Sequence, residues 1–207
     1  MKTIIFDFDG TIADSSQVFM HGWNAFAEQY HYLKVDESDI ALARTMTLHE
    51  CAKRYRFPMM KMPIILPKIY RYYNAHIKSV KPYDGIHDML KLLKEAGHEL
   101  VILSSNEKKN IEDFLIANEI TEIETVLSAN KLFGKDRTLK KFMKDRRLKT
   151  SNLFYIGDEQ RDLEACKKCD IPFGWVSWGL HGEELIEPYE PAHKFYNPKQ
   201  IVAYFES

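Results

Sequence analysis

Apolar residues gather in short, nearly unbroken runs along the chain: TIIFD (3–7), ELVILS (99–104), ETVLS (124–128), NLFYIG (152–157) and FGWVS (173–177), with a weaker run at 193–196. Runs this short, rich in branched and aromatic residues and bounded by turn formers, predict β-strands. Between them apolar positions recur at helical spacing, in GIHDMLKLLKEAG (85–97), NEKKNIEDFLIANE (106–119), DRTLKKFMKDRR (136–147) and EQRDLEACKKC (159–169), with Gly97 as a plausible C-cap of the first. Strand and helix thus alternate from residue 84 to 178. Strands with no polar alternation are buried on both faces, so the predicted fold class is α/β, a doubly wound parallel sheet covered by helices.

Residues 15 to 80 break this rhythm. They offer helical stretches, SQVFMHGWNAFAEQYHY (16–32), LHECAKRYRF (48–57) and KMPIILPKIYRYYNAHIKSV (61–80), the last interrupted by Pro63 and Pro67, and no convincing strand. The expected organisation is a core of residues 1–14 and 81–207 with a helical domain, 15–80, inserted after the first strand. Its joints fall near Asp14-Ser15 and near VKPYDG (80–85). The stripe of Phe19, Trp23, Phe26, Tyr30, Ile69, Tyr70 and Tyr73 could wall a substrate, but its spacing favours a small private core.

Composition narrows the class without naming the chemistry. The chain has 207 residues, 45% apolar and 29% charged, with a formal net charge of -1. That length buries a substantial core, and the balanced charge gives no nucleic-acid footprint. The basic run KDRTLKKFMKDRRLK (135–149) is broken by acids and carries no stacking platform, so it reads as a solvated helix face. No stretch approaches the roughly 20 apolar residues of a membrane span, and the first residues enter a strand directly, without a leader pattern. The expectation is a cytoplasmic protein that engages neither membrane nor nucleic acid. Cys51, Cys166 and Cys169 are an odd set without partner ligands, and are read as small semi-buried residues.

In a parallel α/β sheet, ligands bind beyond the carboxyl ends of the strands. The first strand ends in Asp7-Phe8-Asp9-Gly10-Thr11, the next in Ser104-Ser105-Asn106, and a later one in Gly157-Asp158-Glu159 with Asp162 beyond; Lys135 opens a helix between them. Carboxylates crowded at a low-dielectric edge raise one another's pKa unless a cation intervenes. A hard divalent ion suits them, with Asp7 and Asp158 as ligands. No His or Cys accompanies them to favour zinc, and Mg²⁺ keeps open positions for a substrate phosphate.

These residues fall into DFDGT (7–11), SSN (104–106), GK (134–135) and GDEQRD (157–162), which in this order resemble the haloacid dehalogenase-like (HAD) superfamily: D-x-D-x-T, a Ser or Thr, a Lys, and G-D-x-x-x-D. The insertion after the first motif is similar to that family's helical C1 cap. The resemblance implies that Asp7 is a nucleophile forming an aspartyl-phosphate, and that Asp9 is the acid and base that protonates the leaving group and activates water. It also implies that Asp9 touches Mg²⁺ through its backbone carbonyl, with Asp7 and Asp158 completing the protein ligands. Gly10 permits the sharp turn and Thr11 fixes the loop or binds phosphate. Ser105, preferred over Ser104, and Asn106 would bind the phosphoryl group. Lys135, preferred over Lys131, would neutralise it, with Asp162 and Glu159 in support.

Within the family the acid at Asp9 separates phosphatases from dehalogenases, whose halide leaving group needs no proton. A mutase of the β-phosphoglucomutase type keeps the acid but relies on a cap His; that register holds Phe19, with His21 two positions away. A non-catalytic binding module of the same fold is the other alternative. The expected activity is Mg²⁺-dependent hydrolysis of a small phosphorylated metabolite, phosphoglycolate among the candidates. Arg44, in ALARTMTLHE (41–50), is placed to bind a second anionic group. Trp178 and His181, after the fifth strand, read as a packed Trp and a surface His.

Overall fold

The computed structural model describes residues 1–129 and 134–206. In chain order its strands are β1 (Thr3–Phe6), β2 (Ala13–Asp14), β3 (Lys81–Pro82), β4 (Glu99–Ser104), β5 (Thr125–Ser128), β6 (Leu153–Gly157), β7 (Phe173–Val176) and β8 (His193–Phe195). Six of them form one sheet in the order β5-β4-β1-β6-β7-β8. All of its pairings are parallel, with Phe6 level with Ile102 on one side and Ile156 on the other. The chain builds outward from β1 to β5, then returns across β1 to build β6 to β8. The reversal puts the carboxyl ends of β4, β1 and β6 side by side, at the kind of switch point where such sheets bind ligands.

The unbroken apolar runs are explained by where alternate residues go. Ile4, Phe6, Leu100, Ile102, Phe154 and Ile156 pack into one core, under α5 (Ile86–Glu95), α6 (Lys108–Ala117) and α10 (Pro198–Glu206). Ile5, Val101, Leu103, Leu153, Tyr155 and Trp175 enter a second core on the opposite face, under α7 (Lys135–Arg146) and α8 (Gln160–Lys167). With both faces covered, a strand has no solvent side to make polar. A short α9 (Glu183–Ile186) lies between β7 and β8.

The segment between β2 and β3 is built from helices joined by short loops: α1 (Ser16–Tyr30), α2 (Glu37–Ala43), α3 (Leu48–Arg54) and α4 (Met62–His76). Its ends meet in a two-stranded antiparallel ribbon that pairs Ala13 with Pro82 and Asp14 with Lys81. Ala27, Tyr32, Ala52, Phe57, Ile65 and Ile69 form its own core, with Phe19, Trp23, Phe26 and Tyr30 packed against it. α4 runs through both prolines. Pro63 falls in the first turn, where its missing N–H is no loss, and Pro67 forfeits one ladder bond that the burial of Ile65, Ile69 and Tyr73 outweighs. α2 is too short and too exposed to show a periodic face; it is held by a capping box between Asp36 and Asp39, and α3 by one between Thr47 and Glu50.

Candidate active site

β1 stops as a strand at Phe6, but its ladder continues one step: the Asp7 N–H donates to the Ile156 carbonyl at 2.8 Å. The chain then turns tightly, with the N–H groups of Ile12 and Ala13 both donating to the Phe8 carbonyl at 2.9 Å. The Asp7 side chain is held in this turn, its Oδ1 accepting from the Phe8 N–H at 2.8 Å. Gly10 makes the turn possible in two ways. Its φ is +78°, in the left-handed region, and a Cβ there would collide with the carboxylate of Asp158. Gly179 also closes on Asp158, where a Cβ would collide with the Asp158 Cβ. Gly10→Ala is therefore expected to cost about 1–3 kcal/mol of stability by adding strain at a positive φ to displacement of Asp158, measured by urea unfolding. Stability and activity equal to the parent's would show that the turn tolerates the side chain.

Asp158, at the end of β6, is fully enclosed and fixed through both oxygens. Thr11 Oγ1 donates to Oδ1 at 3.0 Å, and the Leu180 N–H donates to Oδ2 at 2.7 Å. Asp162, one turn into α8, is also buried. Carboxylate oxygens of Asp7, Asp158 and Asp162 lie within 4.8 Å of one another. Lys135, 8% exposed at the first position of α7, reaches into this group: its Nζ lies 2.8 Å from Asp7 Oδ1 and 2.5 Å from Asp162 Oδ1. Three carboxylates against one ammonium leave two negative charges uncompensated.

The titration of Asp7, Asp158 and Lys135 reflects that imbalance. Burial, then the charge of Asp162, pushes the Asp7 carboxyl well above its ordinary value, against the pull of Lys135. Burial, with Glu159 and Asp162 adding repulsion, raises Asp158 from 3.8 to about 8. Burial disfavours the Lys135 ammonium, but Asp162 and Asp7 outweigh it, so its pKa is raised and it stays charged. A set of hard oxygen donors carrying surplus negative charge fits a divalent cation such as Mg²⁺ and offers nothing to a softer metal.

The Asp9 carboxylate is held in a second network. Tyr73, from α4 in the inserted segment, donates its hydroxyl to Asp9 Oδ1 at 2.7 Å, and Asn106 Nδ2 donates to Oδ2 at 3.0 Å. Desolvation raises the Asp9 pKa, and these two bonds, with the Ser15 hydroxyl, pull it part of the way back. Tyr73 was legible only as one more aromatic in a stripe. Its hydroxyl meets a partner 64 residues away, which no local spacing announces.

The remaining expected site residues sit around these two networks. Asn106 spends its amide on Asp9 and Tyr73, while its backbone N–H donates to Ser104 Oγ at 3.1 Å, committing that hydroxyl to the turn. Ser105 is half-buried in the same loop. Glu159 pairs with Arg161, 2.6 Å from Arg161 Nε. Arg44 donates from its guanidinium to the Ser177 carbonyl, and its own carbonyl accepts from the Gly182 N–H at 2.8 Å, so it ties the inserted segment to the loop after β7. Trp178 is packed, donating from Nε1 to the Thr11 carbonyl at 3.0 Å; His181 is half-buried, with Nδ1 accepting from the Gln160 N–H. Lys131 lies outside the described residues.

Known proteins resemble this chain in sequence and in fold. The family model described as haloacid dehalogenase-like hydrolase matches residues 4–176. A phosphoglycolate phosphatase from Synechococcus elongatus is 29% identical over 187 residues, 90% of this chain and 88% of that protein. A pyrophosphatase PpaX from Halalkalibacterium halodurans is 22% identical over 197 residues, 92% of this chain and 90% of its own. Among solved structures, a haloacid dehalogenase-like family hydrolase from Streptococcus pneumoniae superposes with a TM-score of 0.84 at 20% identity, covering 99% of this chain and 98% of that one. A match over so much of the chain, on a fold that delivers Asp7, Lys135 and Asp158 to one sheet edge, settles the assignment: the chain belongs to the haloacid dehalogenase-like hydrolases.

Proposed function

We propose that this enzyme is a Mg²⁺-dependent phosphomonoesterase that works through a phosphoryl group carried on Asp7. The observation that carries this reading is the pairing of Asp7 with Lys135 inside a cluster whose surplus of two negative charges one divalent cation would balance. Asp7 Oδ1 already accepts from Lys135 and Phe8, which leaves Oδ2 as the oxygen for attack on phosphorus. Asp9 gives its proton to the departing alkoxide, then takes one from the water that releases phosphate. Ser105 donates to a phosphoryl oxygen, and Lys135 offsets charge on the transferring group. Asp7, Asp158 and the Asp9 carbonyl would hold Mg²⁺, with Thr11 and the Leu180 N–H orienting Asp158; Asp162 and Glu159 support the cluster. The bound ion would withdraw charge from the phosphoryl oxygens.

The preferred substrate is a small phosphomonoester bearing a second anionic group, phosphoglycolate being one. Arg44, already on the Ser177 carbonyl, would offer its other donors to that group. Hydrolysis is favoured over mutase chemistry because Phe19 stacks on Tyr73 with centroids 4.6 Å apart and His21 is exposed. The test is phosphate release from phosphoglycolate, an uncharged alkyl phosphate and pyrophosphate, with and without Mg²⁺. Turnover independent of the metal overturns the mechanism, and preference for pyrophosphate overturns the substrate class.

The same cluster sets a pH signature that needs no substrate. Because Asp158 is raised from 3.8 to about 8, the metal-free folded state holds a proton that the unfolded chain releases, so stability falls as pH rises through that window. Mg²⁺ replaces the proton as the neutralising charge. It is expected to raise Tm clearly at about pH 8 and hardly at all at about pH 5. Equal shifts at both values, or none at either, would remove the cluster as the binding site.

A further inference from the structure

The Asp9 carboxylate is gripped by donors whose orientation the structure leaves no freedom to reverse. Asn106 Oδ1 accepts from the Glu107 N–H at 2.8 Å and from Asn110 Nδ2 at 2.9 Å. A backbone N–H can only donate, so Oδ1 is the acceptor end of that amide and Nδ2 must face the other way. Nδ2 points at Asp9 Oδ2, 3.0 Å away, and at the Tyr73 hydroxyl, 3.2 Å away. Tyr73 thus receives a hydrogen from Asn106 and has one acceptor for its own, Asp9 Oδ1 at 2.7 Å. Asn110 in turn holds Asn74 Oδ1 at 2.8 Å, next to Tyr73 on α4, so the chain of bonds joins the loop after β4 to the inserted segment.

The Tyr73 ring is as constrained as its hydroxyl. It is fully buried and stacks on Phe19 at an interplanar angle of 20°. The catalytic scheme above makes no use of this hydroxyl.

We propose that Tyr73 is a positioning residue for proton transfer: its hydroxyl, delivered by the inserted segment, fixes the rotamer of Asp9 so that the carboxyl meets the leaving oxygen. The proposal rests on the reading of Asp9 as the proton carrier. A proton misplaced by a rotated carboxyl costs rate only where the leaving group needs one. In the phosphorylation step the Asp7 carboxylate oxygen bonds to phosphorus, the ester P–O bond breaks, its electron pair stays on the leaving oxygen, and the Asp9 proton ends there. An alkoxide requires that proton; a 4-nitrophenolate leaves without it.

The experiment compares kcat/KM on an alkyl phosphate and on 4-nitrophenyl phosphate for the parent, Tyr73→Phe and Asp9→Asn. kcat/KM covers the steps up to departure of the leaving group, so the later hydrolysis of the phosphorylated enzyme does not enter. Phenylalanine keeps the ring and its stacking and removes only the donor. For Tyr73→Phe the ratio of nitrophenyl to alkyl kcat/KM is expected to rise about tenfold, and for Asp9→Asn by about a hundredfold or more. An unchanged ratio in Tyr73→Phe beside a raised ratio in Asp9→Asn overturns the role of Tyr73 alone. An unchanged ratio in both overturns the reading of Asp9. Should Tyr73→Phe not fold, Asn106→Ala, which removes the donor to the other oxygen of Asp9, is read on the same ratio with the same expectation.

Discussion

Asp7→Asn is expected to abolish turnover, lowering phosphate release by about a thousandfold or more while leaving the fold intact. The amide is isosteric, and its oxygen still accepts from the Phe8 N–H and from Lys135, so the turn after β1 loses no bond. What disappears is the anionic oxygen able to attack phosphorus. The substitution also removes one of three crowded carboxylates. Asp7 is already pushed well above its ordinary pKa by burial and by Asp162, so losing its charge relieves repulsion. Tm is therefore expected to hold or to rise. The parent, quenched during turnover, should show an intact mass increased by one phosphoryl group, and the variant should not. A variant within tenfold of the parent would move the nucleophile to another residue.

The fold was legible where burial leaves a one-dimensional trace. ELVILS and NLFYIG are apolar at every position or nearly so because β4 and β6 feed a core on each face, and that pattern needs no knowledge of the neighbours. The acids were legible for the complementary reason. Asp7 and Asp158 directly follow runs that water never reaches, and an ionisable group in that position needs a purpose. The limits are equally physical. β2 and β3 contribute two residues each, too few for any period, and exist because the two ends of the inserted segment must run side by side. α2 has no buried residue and so no periodic face; its signal is the Asp36 and Asp39 capping box alone.

Contacts between distant side chains left no trace at all. Tyr73 belongs by spacing to the stripe that builds the inserted segment's core, and Ile65 and Ile69 on the same helix do join that core. One turn further on, the same face of α4 has passed from the private core to the core under the sheet, and the phenol meets Asp9. Arg44 is similar: its place in the chain suggests an anion partner, but its first bond is to a backbone carbonyl after β7. Periodicity reports which face of a helix is dry. It does not report which dry surface lies opposite.

Lys135→Met is the substitution expected to damage both stability and chemistry. A lysine at the first position of a helix faces the positive end of the macrodipole, so by local rules its replacement should be neutral or slightly favourable. The structure reverses that expectation. The Nζ is the only cation bonded to Asp7 and Asp162 among the described residues, and Tyr155, whose hydroxyl donates to Asp162 Oδ1 at 3.2 Å, supplies no charge. Breaking a buried ion pair from one side leaves its partners uncompensated, at a cost of about 3–5 kcal/mol. Asp7, already pushed well above its ordinary value by burial and by Asp162, can escape part of that cost by taking up a proton. The loss in urea unfolding without metal should therefore be smallest at low pH and grow as pH rises and that proton leaves. Mg²⁺ cannot restore the missing group, because the ammonium also offsets charge on the transferring phosphoryl; kcat/KM should remain about a hundredfold or more below the parent with the metal saturating. If Lys135→Met instead unfolds like the parent at every pH, the lysine is a surface residue in solution, and the charge balance drawn from Asp7, Asp158 and Asp162 fails with it.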